Sequence, residues 1–311
     1  MRLGMVGLGR MGGNMMERLR QHGHEVIGYD RNPAVSEVSD LADLAVKLGD
    51  TPRVAWVMVP SGKPTDATIA ELRGLLGEGD IVIDGGNSNW RDSQRHGAEL
   101  ATKGIGFIDC GTSGGIWGLQ EGYCLMVGGA PEYVAVAQPA FDALAPVGGF
   151  AHVGPVGAGH FTKMVHNGIE YGIMQSYAEG FELLKAVDIE LDANAALKAW
   201  RQGSVVRSWL LDLLCLALEA DPGLKSFQGY ASDSGEGRWT VNEAVRLAVP
   251  MPVISSALFA RFASRQDVSP AMQVISALRS QFGGHAEQAI DRRPAESLDG
   301  GGDNKGKVVP G

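Results

Sequence analysis

The chain has 311 residues, enough for a sizeable core and an expected two domains. Its 44% hydrophobic and 20% charged content is ordinary for a globular protein, and a net charge of -9 argues against nucleic acid, which rewards a basic surface. Three cysteines without CxxC spacing, no apolar run of membrane-spanning length and no signal-peptide layout argue against a disulfide framework, a membrane partner and export, so the expected compartment is the cytoplasm.

Short β-rich runs alternate with helical stretches through the first half. Strands are expected at 3–9, 25–30, 54–60, 80–86, 106–111, 123–129 and 150–154. The earlier runs are continuously apolar, as in parallel strands covered on both faces. "GPVGAGH" (154–160) is a Gly/Pro-rich break, after which only helical periods are found. "ANAALKAWRQGSVVRSWLLDLLCLALEAD" reads as one long apolar helical stretch, followed by "VNEAVRLAV", "VISSALFARFASR" and "AMQVISALRSQF". Cys215 is expected as a small core hydrophobe, and Trp90, Trp117 and Trp209 as packing residues. The fold class is α/β, a doubly wound sheet domain followed by an all-helical domain. Expected boundaries are 1–156, 157–296 and a Gly-rich, polar tail at 297–311.

Gly7, Gly9 and Gly12 form G-x-G-x-x-G directly after the first strand and at the head of a helical segment, with Asp30 ending the second strand. Alone the pattern is weak in so Gly-rich a chain; in this setting it is the Rossmann dinucleotide fingerprint. The first glycine permits the tight turn, the second lets backbone approach a pyrophosphate, and the third lets helix and strand pack closely. Asp30 can accept from the ribose hydroxyls and would repel a 2′-phosphate, so NAD is favoured over NADP; Arg31 beside it keeps NADP open. The HxH at His22 and His24 lacks further partners and reads as a surface turn, so no metal is expected.

"GHFTKMVHNGIEYG" (159–172) reads as the first half of a helix. Phe161, Met164, Val165 and Ile169 supply an apolar stripe expected to face the core. Lys163, Asn167 and Glu170 fall within about 60° of one another, and Lys163 and Glu170 stand about 10.5 Å apart along the axis. A base and an acid at that separation could flank a small extended molecule; on periodicity alone a solvated polar face is the simpler account.

This segment, together with "GLGRMGGN" (7–14), "VMVPSG" (57–62), "DGGNS" (84–88), "GTSGG" (111–115), "ALFARFASR" (257–265) and "RSQFGGH" (279–285), resembles the 6-phosphogluconate dehydrogenases of the β-hydroxyacid dehydrogenase superfamily, block by block and in order. The likeness covers roughly residues 1 to 290 and points to the short, NAD-linked type. It implies oxidative decarboxylation of 6-phosphogluconate, a phosphorylated sugar acid. Lys163 would be the general base toward the 3-hydroxyl, acting as a neutral lysine produced by desolvation or a nearby positive charge. Glu170 would protonate the enediol. The loop Ser113, Gly114 and Gly115 would receive the carboxylate, with Asn87, His166 and Asn167 on carboxylate and hydroxyls. Tyr171 and Arg261 would hold the phosphate, Arg261 through a bidentate fork. The cofactor would lie along Gly7, Leu8, Gly9, Arg10, Met11 and Gly12, with Asp30, Arg31, Val59 and Asn87. Arg279 and His285 match a pair supplied by the neighbouring subunit, which implies a homodimer or homotetramer with shared sites. Where long-chain relatives carry a lysine-rich loop, this chain reads "DSGEGRWT" (233–240): Ser234 and Glu236 replace cationic or neutral positions, and only Arg238 offers charge. The alternatives are a 3-hydroxyacid dehydrogenase acting on 3-hydroxyisobutyrate or tartronate semialdehyde, which needs neither the Glu170–Tyr171 pair nor Arg279 and His285, and a non-catalytic NAD-binding protein, which would be expected to have lost the base or acid, whereas Lys163, Asn167 and Glu170 are all intact.

Overall fold

Seven strands form one sheet in the order β2-β1-β3-β4-β5-β6-β7 in the computed structural model, which describes residues 1–283. They are β1 (Arg2–Val6), β2 (Glu25–Tyr29), β3 (Val54–Val57), β4 (Ile81–Asp84), β5 (Gly106–Ser113), β6 (Cys124–Gly129) and β7 (Phe150–Gly154). All neighbours pair in parallel except β5 and β6, whose antiparallel register sets Cys110 opposite Val127 and Ser113 opposite Cys124. Every expected strand is present, each ending where apolar residues give way to glycine or to a loop.

Helices cover both faces, as continuous apolar strands require. On one face α1 (Arg10–Gln21) and α6 (Pro131–Leu144) set Met15, Leu19, Ala137 and Phe141 against Leu3, Met5, Trp56 and Val127. On the other, α2 (Leu41–Leu48), α3 (Lys63–Leu75) and α4 (Trp90–Ala101) set Leu44, Ile69, Leu72 and Leu100 against Val6, Ala55, Val57 and Val82. A short α5 (Gly118–Glu121) bridges β5 and β6.

The 29-residue α7 (Ala158–Ala186) follows β7 and packs against β5 and β6. Asp109 on β5, fully buried, accepts from the N–H groups of Gly157 at 2.7 Å and His160 at 2.8 Å, so a strand carboxylate caps the helix. Burial pushes Asp109 upward in pKa, against the pull of His160 and these N–H groups. Glycine permits the approach: a Cβ on Gly111 would lie 2.4 Å from Lys163 Cβ. Beyond α7 lie α8 (Ala193–Trp200), α9 (Trp209–Ala220), α10 (Glu236–Leu247), α11 (Pro252–Ala263) and α12 (Pro270–Gly283). The one long stretch expected from 193 onward is therefore two helices. Gly203 takes φ +73°, and the Ser208 hydroxyl accepts from Leu211 N–H at 3.2 Å to begin α9 afresh. Cys215 is buried with Leu197, Leu211 and Leu218.

Residues Met1–Ser264 form one compact unit, and a second begins at Arg265, containing α12. No helix among the described residues is long and apolar enough to cross a membrane.

Candidate active site

A cavity of about 1580 Å³ opens at the carboxyl ends of β1, β3 and β4, where the strand order reverses on either side of β1. Gly7, Gly9, Arg10, Met11 and Gly12 form its glycine-rich wall, with Asp30, Arg31, Val59 and Asn87 around it. The three glycines divide as expected. Gly7 has φ +94°, and a Cβ there would meet Met58 O at 2.6 Å; one on Gly12 would meet Gly7 O at 2.0 Å, whereas one on Gly9 would meet nothing within 4 Å. Backbone at Gly9 is thus open to a ligand, and the first N–H groups of α1 have no partner within the helix. These features fit a dinucleotide pyrophosphate. Leu8 is absent from the lining: its N–H donates to Asp30 Oδ2 at 2.7 Å, and its side chain turns inward against Gly28. That bond, with one from Asn32 N–H to Oδ1 at 2.8 Å, fixes the Asp30 carboxylate at the tip of β2.

The opposite wall is α7. Lys163, His166 and Glu170 line the cavity, as do Ser113, Gly114 and Gly115 from the end of β5. Gly114 and Gly115 have φ +134° and +54°, and a Cβ on Gly115 would meet nothing within 4 Å, so this turn presents bare backbone. Among the described residues, no cluster of three or more His, Cys, Asp or Glu could hold a metal ion.

Of the apolar stripe expected to face the core, only Met164 does so. Phe161, Val165 and Ile169 line the cavity, Ile169 is 51% exposed, and the buried face of α7 carries Lys163, Met164, Asn167 and Tyr171. Polar groups lie inside because α10 and α11 pack over them. Trp117 and Trp209, expected as packing residues, are 40% and 49% exposed and line the cavity; Trp90 does pack, edge-on to Phe161 at 5.6 Å.

Burial lowers the Lys163 pKa from the ordinary lysine value, and Glu236, Glu170 and Cys124 oppose the shift. Desolvation is therefore the route to a neutral base, and the nearby charges are negative rather than positive. Asn167 stands behind the cavity wall. Its Oδ1 lies 2.9 Å from His166 Nδ1, and its Nδ2 donates to Glu236 Oε2 in a very short contact. His166 Nε2 lies 3.4 Å from Ser113 Oγ. Tyr171 and Arg261 meet beside this group. The guanidinium carbon sits 3.6 Å above the tyrosine ring, Arg261 Nη1 donates to Ser232 O at 2.8 Å, and the tyrosine oxygen accepts from Ser234 N–H at 3.2 Å. Neither residue lines the cavity described above. Arg238, the one cation of the 233–240 loop, is held by Asp233 at 2.7 Å and lies over the Phe262 ring. Arg279 lies on α12 of the second unit, and His285 is outside the described residues. Missed from the sequence was Glu236 as a site residue: it is 2% exposed at the first turn of α10.

Residues 2–154 match the family model for the NAD binding domain of 6-phosphogluconate dehydrogenase, and residues 159–292 match the C-terminal domain of 6-phosphogluconate dehydrogenase. An NAD(+)-dependent, decarboxylating 6-phosphogluconate dehydrogenase of Haloferax volcanii is 42% identical over 296 residues, 92% of this chain and 98% of that one. The chain belongs to the 6-phosphogluconate dehydrogenase family. A solved Plasmodium falciparum 6-phosphogluconate dehydrogenase superposes with a TM-score of 0.78 at 26% identity, covering 96% of this chain and 68% of its own. Mycobacterium tuberculosis 3-hydroxyisobutyrate dehydrogenase shares the fold, with a TM-score of 0.69 at 22% identity over 89% of this chain and 99% of that one.

Proposed function

We propose that this chain oxidises and decarboxylates 6-phospho-D-gluconate to ribulose 5-phosphate and CO2 with reduction of NAD. The observation that carries the reading is the buried Lys163 sharing one cavity with Glu170, the Ser113–Gly115 turn and the dinucleotide fingerprint.

Bound NAD supplies the acceptor for the hydride leaving C3. Neutral Lys163 takes the 3-hydroxyl proton as that hydride leaves, so C3 becomes a ketone carbon, β to the C1 carboxylate. The lysine, now an ammonium, returns that proton to the ketone oxygen as the C1–C2 bond breaks and CO2 departs. Glu170 then delivers a proton to the terminal carbon of the enediol. The Ser113–Gly115 turn orients the carboxylate through its hydroxyl and N–H groups, with Asn87, His166 and Asn167 toward the carboxylate and hydroxyls. Tyr171 and Arg261 take the phosphate. Fixed at the end of β2, Asp30 accepts from the ribose hydroxyls of NAD and disfavours the 2′-phosphate of NADP, with Arg31 beside it.

The functional division we adopt is 1–156 for the cofactor and 157–296 for substrate and subunit association; the 297–311 segment lies outside the described residues. We take the active oligomer to be a homodimer or homotetramer, with Arg279 and His285 of one subunit completing its neighbour's site, and the compartment to be the cytoplasm. Exposed apolar residues on α10 and α11, including Val245, Val253 and Phe259, are suited to subunit association.

The test is NADH formation and CO2 release with 6-phosphogluconate, gluconate and 3-hydroxyisobutyrate side by side, repeated with NADP. Turnover confined to 6-phosphogluconate with release of CO2 supports the reading. Oxidation of 3-hydroxyisobutyrate without CO2 would replace it.

A further inference from the structure

Glu236 has no place in the scheme above, yet it is among the most buried acids of the helical region. It begins α10 between two glycines, each with a steric reason. Gly235 has φ +95°, and a Cβ on Gly237 would lie 2.5 Å from the Tyr171 ring. The backbone is therefore drawn tight against α7, and the Glu236 carboxylate is carried in with it. One oxygen, Oε2, accepts both from Asn167 Nδ2 and from Ser234 Oγ, the latter at 3.2 Å.

Those contacts settle a chain of polarities. A carboxylate only accepts, so the Asn167 amide nitrogen must face it and Oδ1 must face His166. His166 Nδ1 then has to donate, and in the neutral imidazole this leaves Nε2 as an acceptor aimed at Ser113 Oγ. The Ser113 hydroxyl hydrogen is drawn toward the ring, and its lone pairs turn elsewhere. One acid on α10 thus determines the hydrogen-bonding sense of three residues, two of which line the cavity.

We propose that Glu236 is a positioning residue: it orients Asn167, His166 and Ser113 toward the sugar acid and places a negative charge near Lys163. The inference rests on the reading of the site given above. The charged or titratable groups acting on Lys163 are Glu236 from α10, Glu170 from its own helix and Cys124 from β6; Glu236 in turn feels Lys163, His160 and Glu170. Burial drives Lys163 and Glu236 toward their neutral forms, and their mutual attraction resists this. Removing the Glu236 charge should therefore let Lys163 lose its proton at lower pH.

Two variants separate geometry from charge. In Glu236→Gln the side-chain oxygen can still accept from both Asn167 and Ser234, but the charge is gone; Glu236→Ala removes both. The first readout is the acylation rate of Lys163 against pH, followed by mass spectrometry of its peptide. Its midpoint should fall by about one pH unit in Glu236→Gln. The second is steady-state kinetics. In Glu236→Ala the KM for 6-phosphogluconate should rise about tenfold or more, whereas in Glu236→Gln it stays near the wild-type value. Unchanged NADH affinity shows that each variant is folded; if Glu236→Ala does not fold, the glutamine variant decides alone. A Lys163 midpoint that does not move in Glu236→Gln, or a KM within twofold of wild type in folded Glu236→Ala, overturns the proposal. The labelling needs no substrate, so a wild-type protein inert toward 6-phosphogluconate would sink the substrate assignment and leave this measurement valid.

Discussion

Lys163 works against its own solvation. Burial favours the neutral amine, so kcat/KM should rise with pH through a midpoint below that of an ordinary lysine, and the protonated form dominates below it. Substituting Lys163→Met should lower kcat/KM by about 10⁴-fold without weakening NADH binding, which fluorescence titration would check. Substantial oxidation surviving in that variant would remove Lys163 from the chemistry. At the other end of the cavity, Asp30→Ser should narrow the preference for NAD over NADP by about tenfold or more, because a like charge facing the 2′-phosphate is removed. Equal use of both cofactors by the wild type would contradict the role assigned to Asp30.

Among the elements, α7 depends most on its surroundings. Its place rests on Asp109 at its N-terminus and on bare glycine at Gly111. Gly111→Ala should cost about 1–3 kcal/mol in urea unfolding. It should also lower kcat/KM about 10²-fold, since displacing Lys163 by a fraction of its side-chain length misaligns it. Asp109→Asn retains an acceptor for only one of the two N–H groups and should cost about 1–3 kcal/mol. The sheet was legible in the sequence because strands covered on both faces must read as unbroken apolar runs, and the fingerprint because each glycine answers a separate steric demand. The face of α7 was not. Periodicity reports which side of a helix is apolar, and here Phe161, Val165 and Ile169 line the cavity together with Lys163, His166 and Glu170, while α10 and α11 cover Asn167 and Tyr171. Glu236 escaped for a related reason. An acid in the first turn of a helix ordinarily complements the helix dipole at the surface, and only the flanking Gly235 and Gly237 hinted at close approach. Trp117 and Trp209 were not legible as cavity residues, because bulk alone does not distinguish a core indole from one facing a cavity.

For the whole molecule, the net charge of -9 sets the electrostatic problem of holding a substrate that carries both a carboxylate and a phosphate. The solution expected here is to aim a few cations inward, one of them from a neighbouring subunit. Arg279→Ala should then raise the KM for 6-phosphogluconate about tenfold or more while leaving that for NAD within about twofold. At substrate well below KM, where Arg279→Ala alone is slow, mixing it with Lys163→Met should raise the rate to about a quarter of wild type for random dimers, since half are hybrids with one intact site in two. Hybrids that form and remain inert would refute the shared site.

The strand order separates two properties that an engineer would wish to alter independently. Asp30 caps β2 at one border of the sheet, whereas α7 is anchored on β5 and β6, with β1, β3 and β4 between them. Mutations designed to retune the choice of redox currency would therefore act on a peripheral ribbon, while Lys163, the proposed base, is registered by a carboxylate several strands away. Selection experiments that convert one cofactor habit into the other should find their solutions around β2 and its following loop without compensating changes in α7, and libraries confined to that border should be tolerated well.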